Sequence, residues 1–461
     1  MADRPVPYSG RTRVPAVRRS RGLRTEHVVL ALLANVAVVT GIWIGHGGLD
    51  QLSQRGGWLV AGGQLAGLYG ALAVLVQLLV MSRSPWLERG IGRDQLAAAH
   101  RWVGFVAVSL LIAHATLITL GYAATSSTGS GAELWKLLTT YPDVLMAAAG
   151  LAAFVAVGVT SLRAARRRLP YETWQFVHLY AYLAVTLAFA HQLANGADFA
   201  DDPVTRAYWA ALHVACVGLV LVFRFGRPVA LALRHRARVA AVVPEAPGVV
   251  SIHVTGRRFD LLAAEAGQFF SLRFLTPLWW FRSHPFSLSA VPDGRSMRFT
   301  VKALGDHTAA LQELRPGTRV VLEGPYGTMT VSARTSDRVL LVAGGIGITP
   351  LRAILEALPP GPGATVLLFR ASRPEDLVFR GEIEALARAS GAHVHYLVGR
   401  RTDPGVPAEP FTPEWLATYV PDVATRDVYV CGPEAMNAAV VRAARRLGVA
   451  HHRIHTERFT F

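Results

Sequence analysis

The sequence predicts a multidomain chain: a six-helix transmembrane bundle, then a small antiparallel β-barrel, then an α/β domain with a parallel sheet. Three observations predict it. Six apolar runs, most of them near the ~20 residues that a bilayer requires, occupy residues 27–225. From about residue 235 short alternating stretches separated by turn residues replace them. From about 336 strand-like and helix-like segments alternate, the pattern of a parallel sheet with crossover helices.

The apolar runs are 27–45, 58–81, 96–122, 143–162, 171–194 and 204–225. Residues 1–24 are basic and Pro-containing with little to bury, which predicts a disordered tail. The run 27–45 has the length of a signal-peptide core, but no convincing small-residue cleavage site follows and further spans do, so a first membrane helix is expected. A transmembrane domain over 25–225 is therefore expected, with soluble domains over 235–333 and 336–461. Orientation follows from the placement of arginines. The tail holds Arg18, Arg19, Arg21 and Arg24; the second connection holds Arg83, Arg89 and Arg93. The fourth holds Arg163, Arg166, Arg167 and Arg168, and the exit from the last run holds Arg224, Arg227, Arg234, Arg236 and Arg238. The other connections hold only Arg55, Lys136 and Arg206. A multi-pass protein of the cytoplasmic membrane is expected, with its tail and soluble half in the cytoplasm. The same clustering at membrane edges accounts for the net charge of +16 and speaks against nucleic-acid binding. Two cysteines, Cys216 and Cys431, give no disulfide framework and no zinc motif.

Two of the apolar runs carry paired histidines: His100 and His114 in the third, His178 and His191 in the fifth. Spacings of fourteen and thirteen residues separate each pair by about 20 Å along a helix. Both runs travel from inside to outside. His100 and His178 therefore fall near the inner face, His114 and His191 near the outer face. Imidazole in hydrocarbon is costly and marks function, and neutral imidazole is a common haem ligand. Two matched pairs predict two stacked bis-histidine b-type haems. Fourteen residues return nearly to one helix face, but thirteen at about 100° each do not. The fifth run is expected to be distorted locally or to meet its haems from different sides. His213, in the sixth run without a matched partner, reads as a core histidine.

In the soluble half, Val249–Thr255, Gln268–Phe274, Met297–Ala303 and Arg319–Glu323 read as barrel strands, with a short helix near Asp306–Leu314. Beyond 336 the expected order is strand Arg338–Ala343, helix Pro350–Leu358, strand Thr365–Phe369, helix Phe379–Ala389, strand His393–Val398, strand Val428–Cys431 and helix Ala435–Leu447.

The run Arg282-Ser-His284-Pro285-Phe286-Ser287-Leu-Ser289 sits on a barrel strand. Gly305-Asp-His-Thr308 and Leu322-Glu-Gly-Pro-Tyr-Gly327 follow it. Ala343-Gly344-Gly345-Ile-Gly347-Ile-Thr349-Pro350 follows a strand and opens a helix, where glycine permits close backbone approach to a phosphate. Cys431-Gly432-Pro433 ends a later strand, where open α/β sheets bind ligands. The last residues are Glu457-Arg-Phe459-Thr-Phe461. In this order and spacing the motifs resemble the ferredoxin–NADP reductase superfamily. With the four histidines, residues 25–461 resemble the ferric reductase and NADPH oxidase superfamily.

The resemblance implies FAD on the barrel, with Arg282, His284, Pro285, Phe286, Ser289 and Lys302 around it and Ser287 near flavin N5. It implies that Gly305 and Thr308 flank the FAD pyrophosphate. It places the nicotinamide nucleotide on Gly344, Gly345, Gly347, Thr349 and Pro350 and on Cys431, Gly432 and Pro433. It assigns Ser287, Cys431, Glu457 and Phe459 to the reaction centre, with the aromatic of Phe459 (or Phe461) covering the flavin until nicotinamide displaces it. The four histidines match the family's haem-ligand pattern residue by residue. The implied activity is that of an NAD(P)H-dependent flavohaem oxidoreductase. Electrons would pass from cytoplasmic NADPH or NADH through FAD and two haem b groups to an acceptor on the outer face, either oxygen giving superoxide or ferric iron. Animal oxidases of the family carry a histidine one turn past the outer ligand and an arginine in the second span near the oxygen site. Here these positions offer Ile118 and no arginine, with Gln64 a polar candidate in that span. The competing reading is a membrane redox-partner module that passes electrons to a quinone or a periplasmic protein. Arg370 and Arg373, just after the second α/β strand, suit a 2′-phosphate and predict a preference for NADPH; the alternative is that they pair with Glu375 or Asp376.

Overall fold

The structure is a computed structural model and describes residues 25–169, 171–195, 202–277, 279–280, 282–400, 403 and 411–457. The tail 1–24 and the residues Phe459 and Phe461 lie outside the described residues. The chain divides into two compact units at Ala230–Leu231.

In the first unit the helices are α1 (Thr25–Gly45), α2 (Gly57–Val80), α3 (Pro85–Ile91), α4 (Arg93–Ser126), α5 (Ser130–Thr140), α6 (Val144–Ser161), α7 (Arg163–Arg166), α8 (Tyr171–Asn195) and α9 (Pro203–Leu219). The last continues through a π-helical stretch, Val220–Gly226, into α10 (Arg227–His235). Among the described residues six helices are long and apolar enough to cross a membrane. Five coincide with the apolar runs to within a few residues; the sixth runs ten residues further, to His235. The first run packs into the bundle, where Val39 and Trp43 are buried with Ala61, Leu68 and Trp209. The short helices α3 and α5 were not anticipated, because each lies in a connection too short and too polar to carry a membrane-length signal.

The helices associate in pairs. α2 lies along α4 and α6 along α8, while α4 and α8 barely touch along their backbones. The α2–α4 approach depends on small residues, as helix packing in lipid generally does. A Cβ on Gly63 would stand 2.8 Å from Ile118, and one on Gly67 would stand 2.6 Å from His114. The histidine-bearing helices are thus each held by a neighbour, and the space between them is left to side chains.

The second unit begins with six antiparallel strands: β1 (Arg238–Ala246), β2 (Val249–Thr255), β3 (Phe269–Phe274), β4 (His284–Ser287), β5 (Ser296–Lys302) and β6 (Val320–Tyr326). Two three-stranded sheets, β1-β2-β5 and β4-β3-β6, are joined by the bridges Leu288–Phe299 and Arg238–Arg319. The bridges close the ring into a barrel. Alternate residues Ile252, Val254, Phe270, Leu272, Phe274 and Phe299 fill its interior, as the two-residue strand period requires. β1 was not anticipated, because Pro244 interrupts its ladder between two register shifts and proline argues against a regular strand. The barrel also carries the short helix α11 (Asp306–Ala310).

A five-stranded parallel sheet follows, in the order β11-β10-β7-β8-β9. Its elements are β7 (Val339–Gly344), α12 (Ile348–Ala357), β8 (Thr365–Ala371), α13 (Arg380–Ser390), β9 (His393–Val398), α14 (Pro413–Tyr419), β10 (Asp427–Cys431), α15 (Glu434–Arg446) and β11 (Ile454–Glu457). Every residue of β7 is buried, as for a central strand covered by helices on both faces. Strand order reverses between β7 and β10, which puts a binding crevice at their carboxyl ends. The four-residue β11 and the helix α14 were missed, since both are too short for a periodic signal.

Candidate functional site

The four histidines meet in the expected pairs. The rings of His100 and His178 have centroids 5.8 Å apart, and those of His114 and His191 have centroids 6.3 Å apart. Two imidazoles bonding one metal from opposite sides at about 2 Å each have ring centres about 6 Å apart. Both separations fit that arrangement. His114 Nδ1 donates to the Gly63 carbonyl at 2.8 Å, which leaves Nε2 carrying the lone pair that a metal requires. The Nδ1 atoms of His100 and His178 are buried without a hydrogen-bond partner. α8 runs without a break from Tyr171 to Asn195, and thirteen residues at about 100° each set His178 and His191 on different sides of it. His213 is buried, packs against Phe189 and Trp209 and bonds the Trp209 carbonyl at 2.9 Å, as a core histidine does. Gln64 accepts the Trp43 indole N–H at 2.9 Å.

The barrel motif and the nucleotide turn share one cleft in the second unit. Pro285, Phe286, Ser287 and Thr308 line it from the barrel, and Ile346 and Thr349 from the parallel domain. Ser287 is buried at 3% exposure, and its Oγ has no hydrogen-bond partner. A buried hydroxyl costs free energy unless bonded, so this orphan oxygen fits the polar edge of a bound ring. Beside it His284 stacks on His307 with centroids 4.2 Å apart, and Arg282 lies over Trp279 at 4.6 Å. Thr308 Oγ1 accepts the Leu304 and Gly305 backbone N–H groups at 2.9 and 3.1 Å, so it shapes the turn at the start of α11. Ser289 does not face the cleft. Its hydroxyl accepts from Thr300 at 2.7 Å inside the barrel.

A larger cleft of about 640 Å³ opens at the carboxyl ends of β7 and β8. Gly344, Gly345, Pro433, Met436, Lys302 and Arg370 are among the residues that line it. The turns after β7 and β10 touch so closely that a Cβ on Gly347 would stand 2.2 Å from the Cys431 carbonyl oxygen. Cys431 itself is fully buried, and burial, with Glu457 nearby, pushes its thiol well above the usual range. Its turn reaches the cleft, but its sulfur does not. Glu457 ends β11 beside this seam; a Cβ on Gly327 would stand 3.2 Å from its Oε1.

Arg373 departs from expectation. It pairs with Glu375 at 3.2 Å and Asp376 at 3.4 Å and does not line the cleft. Arg370 does, together with Arg400, Arg442 and Arg446, which the sequence reading missed. The signal was present for two of them: Ala435, Ala439, Arg442 and Arg446 recur at helical spacing along α15, so one face looks into the cleft.

Residues 66–189 match the family model described as ferric reductase like transmembrane component, residues 237–330 an FAD-binding domain, and residues 341–442 an oxidoreductase NAD-binding domain. The fold and these sites define a multi-pass membrane oxidoreductase that binds FAD and NAD. Among curated proteins, ferredoxin–NADP reductase B of Sorangium cellulosum is 32% identical over 48% of this chain and 96% of its own length. The glycine betaine monooxygenase reductase subunit of Chromohalobacter salexigens is 28% identical over 49% of this chain. NADPH oxidase 1 of Mus musculus is 27% identical over 35% of this chain. The chain spans 64% and 26% of the lengths of the last two. The solved FAD/NAD-binding domain of a nitric oxide dioxygenase from Vibrio cholerae aligns at 22% identity with a TM-score of 0.40, covering 49% of this chain and 98% of that one. The chain thus joins a ferric reductase-like membrane component to a module that belongs to the ferredoxin–NADP reductase family.

Proposed function

We propose that the protein carries electrons from cytoplasmic NADPH through FAD and two b-type haems to an acceptor on the outer face of the cytoplasmic membrane. The observation that carries this reading is the pair of imidazole separations, 5.8 and 6.3 Å, on two helices that otherwise stand apart. When bound, FAD would supply the conversion of a two-electron hydride into single electrons that haem can accept. His100 and His178 would hold the inner haem, and His114 and His191 the outer one. Gly63 fixes the tautomer of His114 by accepting its Nδ1 proton. Ser287 Oγ would bond the flavin edge. The Gly344–Pro350 turn and the Cys431–Pro433 turn would bring the nicotinamide to it. Domain limits of 25–225, 235–333 and 336–461 fit this division of labour.

Arginine placement supports the orientation, since basic connections remain cytoplasmic. Lys302, Arg370, Arg400, Arg442 and Arg446 around the large cleft suit the phosphates of NADPH, because guanidinium and ammonium groups bind phosphate by charge-assisted bonds. For the acceptor, oxygen and ferric iron both suit a haem held by His114 and His191, which would supply single electrons at the outer face. The test is steady-state cytochrome c reduction by the purified protein with NADPH, with and without superoxide dismutase. Dismutase-sensitive reduction identifies oxygen as acceptor. Insensitive reduction together with turnover of a ferric chelate identifies iron. Turnover with neither would replace this reading with a membrane module that serves a quinone or a protein.

A further inference from the structure

The backbone carbonyl of Ser289, two residues past Ser287, accepts from two guanidinium groups that belong to different domains. Arg298 on β5 donates through Nη2 at 2.8 Å, and Arg352 on α12 through Nη1 at 3.2 Å. The same two arginines share one carboxylate. Glu382 in the first turn of α13 receives Arg298 at 2.8 and 2.9 Å and Arg352 at 2.8 Å. Arg352 also pairs with Glu356, whose Oε2 accepts the Val291 backbone N–H at 2.9 Å. The Arg298 guanidinium lies over the Phe379 ring at 4.6 Å. Ser289, Val291 and Arg298 come from the barrel; Arg352, Glu356 and Glu382 come from the parallel domain. Burial raises the Glu382 carboxyl, but hydrogen bonds and charge from Arg298 and Arg352 outweigh it and hold its pKa below the ordinary value.

Arg352 is 4% exposed. A buried ion network is weak evidence for stability, because well-packed apolar residues often do as well; fixing one geometry is its better-attested use. Each end of this network is a short step along the chain from the smaller cleft. Ser287 lies two residues before Ser289, and Thr349 lies one helical turn before Arg352; both line the smaller cleft. We propose that Arg352, Glu382 and Arg298 are positioning residues for hydride transfer. Gathered at the Ser289 carbonyl, they lock the strand end carrying Ser287 to the helix that opens behind the glycine turn. They thereby set the distance between the ring held by the barrel and the nicotinamide delivered by the turn. This rests on the reading that the cleft takes FAD and NADPH.

The test is anaerobic stopped-flow reduction of the flavin by NADPH in the full-length protein reconstituted in lipid nanodiscs. The variants are Glu382→Gln and Arg298→Lys. The first keeps the shape and removes the charge. The second keeps the charge and loses the two-pronged bond, and it carries the same test should the first fail to accumulate. A misplacement of about 1 Å costs up to about a hundredfold in rate, so reduction at saturating NADPH should slow at least about tenfold. Nucleotide affinity should move by less than about threefold, the signature of lost transition-state rather than uniform binding, and bound FAD should be retained. An unchanged rate per bound FAD, whether or not the melting temperature falls, overturns the proposal. Absence of NADPH-driven flavin reduction in the unmodified protein overturns the underlying reading instead.

Discussion

A Cβ placed on Gly67 would lie 2.6 Å from Nδ1 of His114. One turn earlier on the same helix, the Gly63 carbonyl accepts from that nitrogen at 2.8 Å. His114 is therefore oriented by the bare backbone of a neighbouring helix rather than by another side chain.

This relationship predicts the phenotype of Gly67→Ala. The added methyl pushes the His114 ring away from its partner, and haem content falls from about two to about one per chain, because a bis-histidine site that loses one ligand binds haem poorly. Gly70→Ala is the control. Its Cβ would meet the side chains of Leu111, at 3.0 Å, and Leu110, at 3.4 Å, and neither histidine pair, so both haems should remain. Pyridine haemochromogen assay of purified protein distinguishes the two outcomes. Equal haem in both variants would show that His114 does not depend on this contact.

Loss of His100 or His178 has a different signature. Either alanine variant should lose the inner haem and retain NADPH-driven flavin reduction, while reduction of the remaining haem slows by orders of magnitude. His114→Ala should keep the inner haem reducible. Rapid-scan spectra record flavin and haem bands in one experiment. Because no covalent attachment motif is present in the sequence, all haem should extract into acid acetone. Full haem reduction in the His100 variant would remove it from the ligand set.

Nucleotide preference should follow the cleft rather than the turn read from sequence. Arg373 is occupied by Glu375 and Asp376 outside the cleft, so Arg373→Ala should leave the NADPH over NADH ratio of kcat/KM within about twofold, as for an exposed ion pair. Arg370→Ala combined with Arg442→Ala should narrow the ratio by about tenfold or more, since charged hydrogen bonds contribute about 1.5–3 kcal/mol each. A ratio that moves only with Arg373 would reverse this assignment.

The histidine stack beside the barrel motif predicts a pH dependence. Burial, then the neighbouring His284 and Arg282, lower His307 from 6.5 to about 4; burial and Arg282 also lower His284. Between these values the unfolded chain binds protons that the folded barrel does not. Stability therefore falls as pH drops from 6.5 toward about 4 and is insensitive to this group above 6.5. Thermal melts followed by flavin release should show the decline, and His307→Phe should flatten it. An identical slope in the variant would mean that other groups set the acid limit.

The legible parts of the molecule were those with a long period or a fixed spacing. Six apolar runs predicted six helices, and the His100–His114 and His178–His191 spacings predicted which rings would meet. The barrel and the parallel sheet were readable because Ile252, Val254, Phe270 and Leu272 alternate with polar neighbours, whereas β7 is apolar throughout. What escaped depended on contacts between segments distant in sequence. Arg298 and Glu382 are eighty-four residues apart, and neither sits in a motif. The fate of Arg373 was decided by local competition from Glu375 and Asp376, which sequence could pose as an alternative but not resolve. Cys431 matched a motif, yet its side chain turned into the core because β10 is buried along its whole length.

Because both ring pairs draw one member from α4 and one from α8, the two helices are pinned to each other at two heights. One residue inserted between His178 and His191 would turn His191 by about 100° and raise it by about 1.5 Å, parting it from His114 while leaving His100 and His178 together. The same insertion at Gly129, where α4 has ended and α5 has not begun, lies outside both stretches and should leave both pairs together. Chain length is thus rigidly constrained over two short stretches and free to drift over the connections between them. A library of single-residue insertions across the first half, scored by haem absorbance, should show intolerant windows between His100 and His114 and between His178 and His191, with a third over Gly63–Gly67, whose backbone orients His114.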